Sequence, residues 1–174
     1  SFGRWIQGRW NVATDTLVRP TNTFKEDLRT GKIIENDVLS ILKKKYDSAF
    51  IIGGYCKEYD IFIPEISEGY EVKQDYKSKY TNNLVIEVAM FGKPSALMTT
   101  KAHVWVIVTH DEYIFIKPDR IKDCIIQNAL PQLQFTSRGD TSPKKAYLID
   151  KDLLMRYAYE VLNKEEKQQW VQKL

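Results

Sequence analysis

Two short runs constrain this chain more than anything else in it: Tyr59-Asp60-Ile61-Phe62-Ile63-Pro64 and Gly69-Tyr70-Glu71-Val72-Lys73-Gln74. Both are β-rich and of strand length, and only Glu65-Ile66-Ser67-Glu68 lies between them, so they pair as antiparallel neighbours. Side chains alternate across a strand; Glu71 and Lys73 therefore share one face while Tyr70 and Val72 share the other. Ten residues intervene between Asp60 and Glu71, and a hairpin of that length sets the two carboxylates side by side. Two carboxylates and a lysine then converge. Such oxygen ligands suit Mg²⁺, which takes one or two protein carboxylates and fills its other positions with water and substrate phosphate.

The flanking sequence supplies a frame. A β-rich run at 49–57, with Gly53-Gly54 read as a bend, completes an antiparallel meander. Before it, residues 23–46 read as helical, with Ile34, Val38, Ile41 and Leu42 at helical spacing and Gly31 dividing the segment in two. Lys43, Lys44 and Lys45 close it, where cations favour the negative end of the helix dipole. Glu35 shares a stripe with Leu39, Leu42 and Tyr46, so its carboxylate requires a cationic or metal partner. After the meander come a strand at 84–90, a short helix reaching residue 102, and strands at 104–109 and 112–116 joined by a tight turn at His110-Asp111. A helix at 119–128, a polar loop at 137–143, a strand at 146–149 and a helical tail from Asp150 finish the chain. Leu153, Leu154, Tyr157, Val161 and Leu162 form the buried stripe of that tail. The expected organisation is an arm (1–22), a core (23–149) and a helical extension of the same domain (150–174).

Composition excludes several classes. At 174 residues and 43% hydrophobic content the chain is an ordinary folded protein, and a net charge of +3 is too small for bulk attraction to nucleic acid. Cys56 and Cys124 lack paired-ligand spacing, and His103 and His110, both read as structural, are too few for a histidine metal site. Neither a phosphate-cradling G-x-x-x-x-G-K-[ST] nor a G-x-S-x-G is present, so no nucleotide cofactor is expected. No apolar run reaches the ~18 residues of a membrane span, and the start lacks the build of a signal peptide. The expectation is a soluble, cytoplasmic protein, in the host cytoplasm if phage-encoded, that makes no membrane contact. Local basic excess lies in two places. The arm carries Arg4, Arg9 and Arg19 with Trp5 and Trp10, continuing to Lys32; a second stretch includes Arg138. Either could hold DNA phosphates, and the arm could equally pack on protein.

A helix glutamate, an Asp-led strand, a short turn and an apolar strand bearing Glu71-Val72-Lys73 resemble the PD-(D/E)xK nuclease superfamily, over residues 30–116. Tyr59 stands where the family name has proline. The resemblance implies a restriction-endonuclease-like αβββαβ core, an α/β fold with a central mixed sheet flanked by helices. It assigns Asp60 and Glu71 to metal, with the Val72 backbone carbonyl as a further ligand and Glu35 acting through water. Lys73 would orient the attacking water, and Gln74, on the opposite face, is read as structural. Small phage or homing-type endonucleases are the subgroup suggested, by Thr81, Asn83 and Glu87, then Ser95, Thr99, Thr100, Ala102 and Trp105. The implied function is Mg²⁺-dependent hydrolysis of double-stranded DNA, with Mn²⁺ able to substitute, by a homodimer that cuts both strands. The alternatives are a Holliday-junction or branched-DNA resolvase and a non-catalytic nucleic-acid-binding protein on the same fold.

Overall fold

The computed structural model describes residues 20–55, 57–136 and 143–165, with side chains from residue 28 on. Helix α1 (Pro20–Lys43) comes first, then strands β1 (Phe50–Ile51), β2 (Ile61–Ile63) and β3 (Glu68–Gln74). A single-turn helix α2 (Ser78–Thr81) leads to β4 (Asn83–Met90), β5 (Lys93–Pro94), β6 (Val104–Val108) and β7 (Glu112–Ile116). Helix α3 (Pro118–Gln127), strands β8 (Leu133–Phe135) and β9 (Lys144–Asp150), helix α4 (Lys151–Met155) and strand β10 (Glu160–Asn163) follow. The architecture is α/β with a mixed central sheet and a few helices.

Six strands form the central sheet in the order β1-β2-β3-β6-β7-β10. The meander expected from sequence is present, and Ile61 sits opposite Tyr70. Strands β3 and β6 are parallel, with Glu71 beside Trp105 and Lys73 beside Ile107; the other neighbours are antiparallel. Parallel neighbours need a long crossover. Here it holds only the one-turn α2, β4, β5 and a 3₁₀ turn at Ala96–Met98, not the packing helix of an αβββαβ core. Strand β4 pairs with β9 in a second, antiparallel sheet ordered β5-β4-β9-β8.

Strand parity builds two cores. Tyr70 and Val72 of β3, Val104, Val106 and Val108 of β6, and Tyr113 and Phe115 of β7 meet Ile34, Val38 and Leu42 of α1. On the opposite face Trp105, Ile107, Ile114 and Ile116 pack on Leu84 and Ile86 of β4, Ile149 of β9, and Ile121 and Cys124 of α3. One face of the sheet is thus covered by a helix and the other largely by a second sheet.

Several expectations are corrected. Helix α1 begins at Pro20, taking in residues 20–22 assigned to the arm; proline suits a first turn because no N–H is needed there. It continues unbroken through buried Gly31, since packing along one stripe outweighs the ~1 kcal/mol that glycine costs a helix interior. The run at 49–57 yields a two-residue strand, because the chain turns away at exposed Gly53 and at Gly54, whose φ is +96°. The helical tail is also overturned within the described residues, its remainder at 166–174 lying outside them. Asp150 caps the short α4 through the Leu153 amide, but residues 160–163 are a strand closing the open edge of β7. Leu153, Leu154 and Tyr157 join the second core, Leu162 joins the first, and Val161 is exposed.

Candidate active site

Strand β3 turns Glu71 and Lys73 towards the second sheet, on the same face as Trp105. The Lys73 ammonium lies 3.4 Å from Glu71 Oε1 and 4.8 Å from the centre of the Trp105 ring. The Trp105 indole is itself held, donating from Nε1 to Thr100 Oγ1 at 3.1 Å. Two contacts therefore hold one lysine, and a third holds the ring it lies against.

Asp60 immediately precedes the neighbouring strand β2. Its amide donates to the Tyr70 carbonyl at 2.9 Å, and its carboxylate Oδ2 accepts from the Val72 amide at 2.7 Å. The side chain is buried, and its charge opposes ionisation of Glu71. Burial is the larger cause of the raised Glu71 pKa; the Lys73 charge partly offsets it. Val72 projects its own side chain into the helix-side core, leaving its backbone as its contribution to the site.

Glu35 lies buried on α1, and the partner that burial demands includes Lys57, whose Nζ is 3.8 Å from Glu35 Oε1. The same ammonium is 3.1 Å from Asp60 Oδ1. In the sequence Lys57 is only the end of the β-rich run at 49–57. Its spacing three residues before Asp60, together with the need of Glu35 for a cation, was the signal that could have found it.

Lys57, Glu71 and Lys73 open on a cleft of about 240 Å³ that is also lined by Glu58, Lys101, Thr100 and the Trp105 ring. Three lysines against two carboxylates, Glu58 and Glu71, leave the lining with a positive excess suited to phosphate. Glu87 of β4 stands close enough that the Lys73 charge lowers its pKa, although burial, the largest cause, raises it. Its Oε2 accepts from Ser95 Oγ at 2.9 Å. Of the residues named from the subgroup likeness, Trp105 and Glu87 stand near Lys73 and are held by Thr100 and Ser95, Thr99 lines the cleft, Ala102 is in the second core, and Thr81 and Asn83 make a local turn through the Asn83 amide and Thr81 Oγ1.

The other expected residues fall elsewhere. Lys32 is exposed on α1, and Arg4, Arg9, Arg19 and Arg138 lie outside the described residues. Gln74 is buried on the Val72 side of β3. Among the described residues His103 Nδ1 accepts from the Gly69 amide at 2.9 Å, and His110 pairs with Asp111 at the hairpin turn, so both have structural roles.

Among the described residues no three His, Cys, Asp or Glu side chains gather into a group that could hold a metal ion. Mg²⁺ does not need three, because water and substrate oxygens fill its remaining positions. Asp60 and Glu71 provide two neighbouring carboxylates, and a cation, the Lys57 ammonium, already stands against one of them. The donor set fits a hard divalent ion. Compared with protein-family models, with curated proteins and with solved structures, the chain matches none.

Proposed function

We propose that this chain is a Mg²⁺-dependent DNA endonuclease that hydrolyses phosphodiester bonds, built on the PD-(D/E)xK plan. The observation that carries this reading is the meeting of buried Asp60 with Glu71 and Lys73, the latter two lining a cleft together with Lys57 and Lys101. The order of helix, three-stranded meander and parallel return strand also supports it, with β4 standing where the plan has its second helix.

Asp60 and Glu71 would hold the metal, with the Val72 carbonyl as a further ligand and Glu35 acting through water. When bound, Mg²⁺ supplies Lewis-acid stabilisation of charge on the phosphoryl oxygens. Lys73, held between Glu71 and the Trp105 face, orients the attacking water and offsets charge that develops in the transition state. Lys101, on the cleft wall, holds a neighbouring phosphate. A homodimer would present two such sites to double-stranded DNA, one for each strand. Mn²⁺ replaces Mg²⁺ in this scheme.

The test is cleavage of linear, circular and branched DNA with Mg²⁺, with EDTA, and with the Lys73→Ala protein. Discrete Mg²⁺-dependent fragments from linear duplex are expected. Cutting confined to branched DNA reassigns the chain as a resolvase, and binding without cleavage of any form reassigns it as a non-catalytic DNA-binding protein.

A further inference from the structure

We propose that Lys57 is a built-in counter-ion that holds the cation position beside Asp60, and that a divalent metal must displace it to bind. The inference rests on the metal-site reading above and concerns how that site is loaded.

Asp60 is 2% exposed and Glu35 5%, so both carboxylates are buried where an uncompensated charge is strongly disfavoured. The Lys57 ammonium lies 3.1 Å from Asp60 Oδ1 and 3.8 Å from Glu35 Oε1, and so serves both. The other Asp60 oxygen is already committed to the Val72 amide at 2.7 Å. A metal approaching Asp60 therefore meets the ammonium at the oxygen that faces it. Two cations cannot share that oxygen at ligating distance, because their mutual repulsion grows as the site excludes water.

Lys57 is placed to move aside, since its further hydrogen bond, to the Ile52 carbonyl, is long at 3.5 Å. It lies between β1 and β2, four and three residues after exposed Gly53 and Gly54, where a Cβ on either glycine would meet nothing within 4 Å. Its side chain is one quarter exposed and also lines the cleft that holds Lys73 and Lys101. An ammonium leaving Asp60 turns into that cleft, where a phosphate is the natural new partner. Metal loading and phosphate binding are thereby coupled through one side chain.

The experiment is Mn²⁺ titration of wild type, Lys57→Met and Asp60→Asn, followed by calorimetry, with the melting temperature in EDTA recorded in parallel. With the competitor removed, Lys57→Met should bind Mn²⁺ about tenfold or more tighter, the scale at which groups around a metal site tune affinity. It should also melt lower than wild type in EDTA and regain the difference in Mn²⁺. Should Lys57→Met not fold, Lys57→Gln, which keeps a donor without the charge, carries the same expectation. Equal or weaker Mn²⁺ affinity in the variant, with Asp60→Asn binding none, overturns the counter-ion role and leaves the metal site standing. Failure of wild type and both variants alike to bind Mn²⁺ removes the metal site, and the proposal with it.

Discussion

The amide of Val72 donates a 2.7 Å hydrogen bond to Oδ2 of Asp60, tying the acid that leads β2 to the strand that carries Glu71 and Lys73. The bond is possible because Ile61 pairs with Tyr70, which sets Asp60 one step beyond the last ladder pair. A slip of one residue would turn Glu71 and Lys73 into the α1 core and Tyr70 and Val72 into the cleft, so burial of both faces pins the register. One hydrogen bond and one register thus place three chemical groups together.

Asp60 and Glu35 share Lys57 but differ in what else they touch. Asp60 reaches β3 and acts on Glu71, while Glu35 approaches the site through Lys57. Asp60→Ala should lower DNA cleavage by about a hundredfold or more, and Glu35→Ala by about tenfold at most. Single-turnover cleavage rates compare them directly. An equal loss in the two would give Glu35 direct metal ligation.

Lys73 is assigned to the reacting water and phosphate, so Lys73→Ala should retain DNA binding and lose cleavage by ~10²–10³-fold. Its anchoring by Glu71 and Trp105 makes Lys73→Arg a poor substitute, since a planar guanidinium does not reproduce a compact ammonium. Gel-shift affinity and cleavage rate measured on the same preparations separate the two effects. Undiminished cleavage by the alanine variant would dismiss the site assignment.

Gly69 is required by a neighbour and not by its own backbone freedom. A Cβ at this position would run into the ring of Tyr59, which stacks on Phe62 with centroids 5.9 Å apart. Because Tyr59 directly precedes Asp60, Gly69→Ala should displace both, destabilising the protein by about 1–3 kcal/mol and slowing cleavage. Urea unfolding and cleavage assays check the pair of effects. Adding Tyr59→Ala should relieve the clash, recovering part of the stability; no recovery would place the strain elsewhere.

The site was legible in sequence wherever local pattern sufficed. Period-two alternation in 69–74 put Glu71 and Lys73 on one face, and the short turn before it put Asp60 alongside. What pattern could not show were partners that depend on distant chain. Trp105 meets Lys73 only because β6 returns parallel to β3, and Glu87 arrives on a strand belonging to another sheet. The tail misled for a physical reason: Leu153, Leu154, Tyr157, Val161 and Leu162 satisfy helical spacing, yet the unpaired edge of β7 recruited residues 160–163 as a strand.

Asp75 gives a pH test of the crossover that leaves β3. It is buried, and its carboxylate accepts from the Val85 amide at 3.0 Å and the Ser78 amide at 3.3 Å, pinning the start of α2 and β4. Burial pushes its pKa up to about 6 from the ordinary 3.8, against the pull of those two amides. Below about pH 4 the carboxyl is protonated in folded and unfolded chains alike, and its contribution to stability is complete. As the pH rises from there to about 6 the unfolded chain ionises first, so stability falls through this window and then levels off. At about 1.4 kcal/mol per pH unit, the full loss is about 3 kcal/mol. Asp75→Asn removes the titration, though it leaves one amide short of an acceptor at every pH. The stability of the variant relative to wild type should therefore rise between pH 4 and 7, by up to about 3 kcal/mol, whatever the constant offset. Urea unfolding of both proteins across that range measures the difference, in which Glu71 and Glu87, also raised by burial, cancel. A difference that stays flat with pH would mean that the buried Asp75 keeps an ordinary pKa, with its two amide donors outweighing its burial.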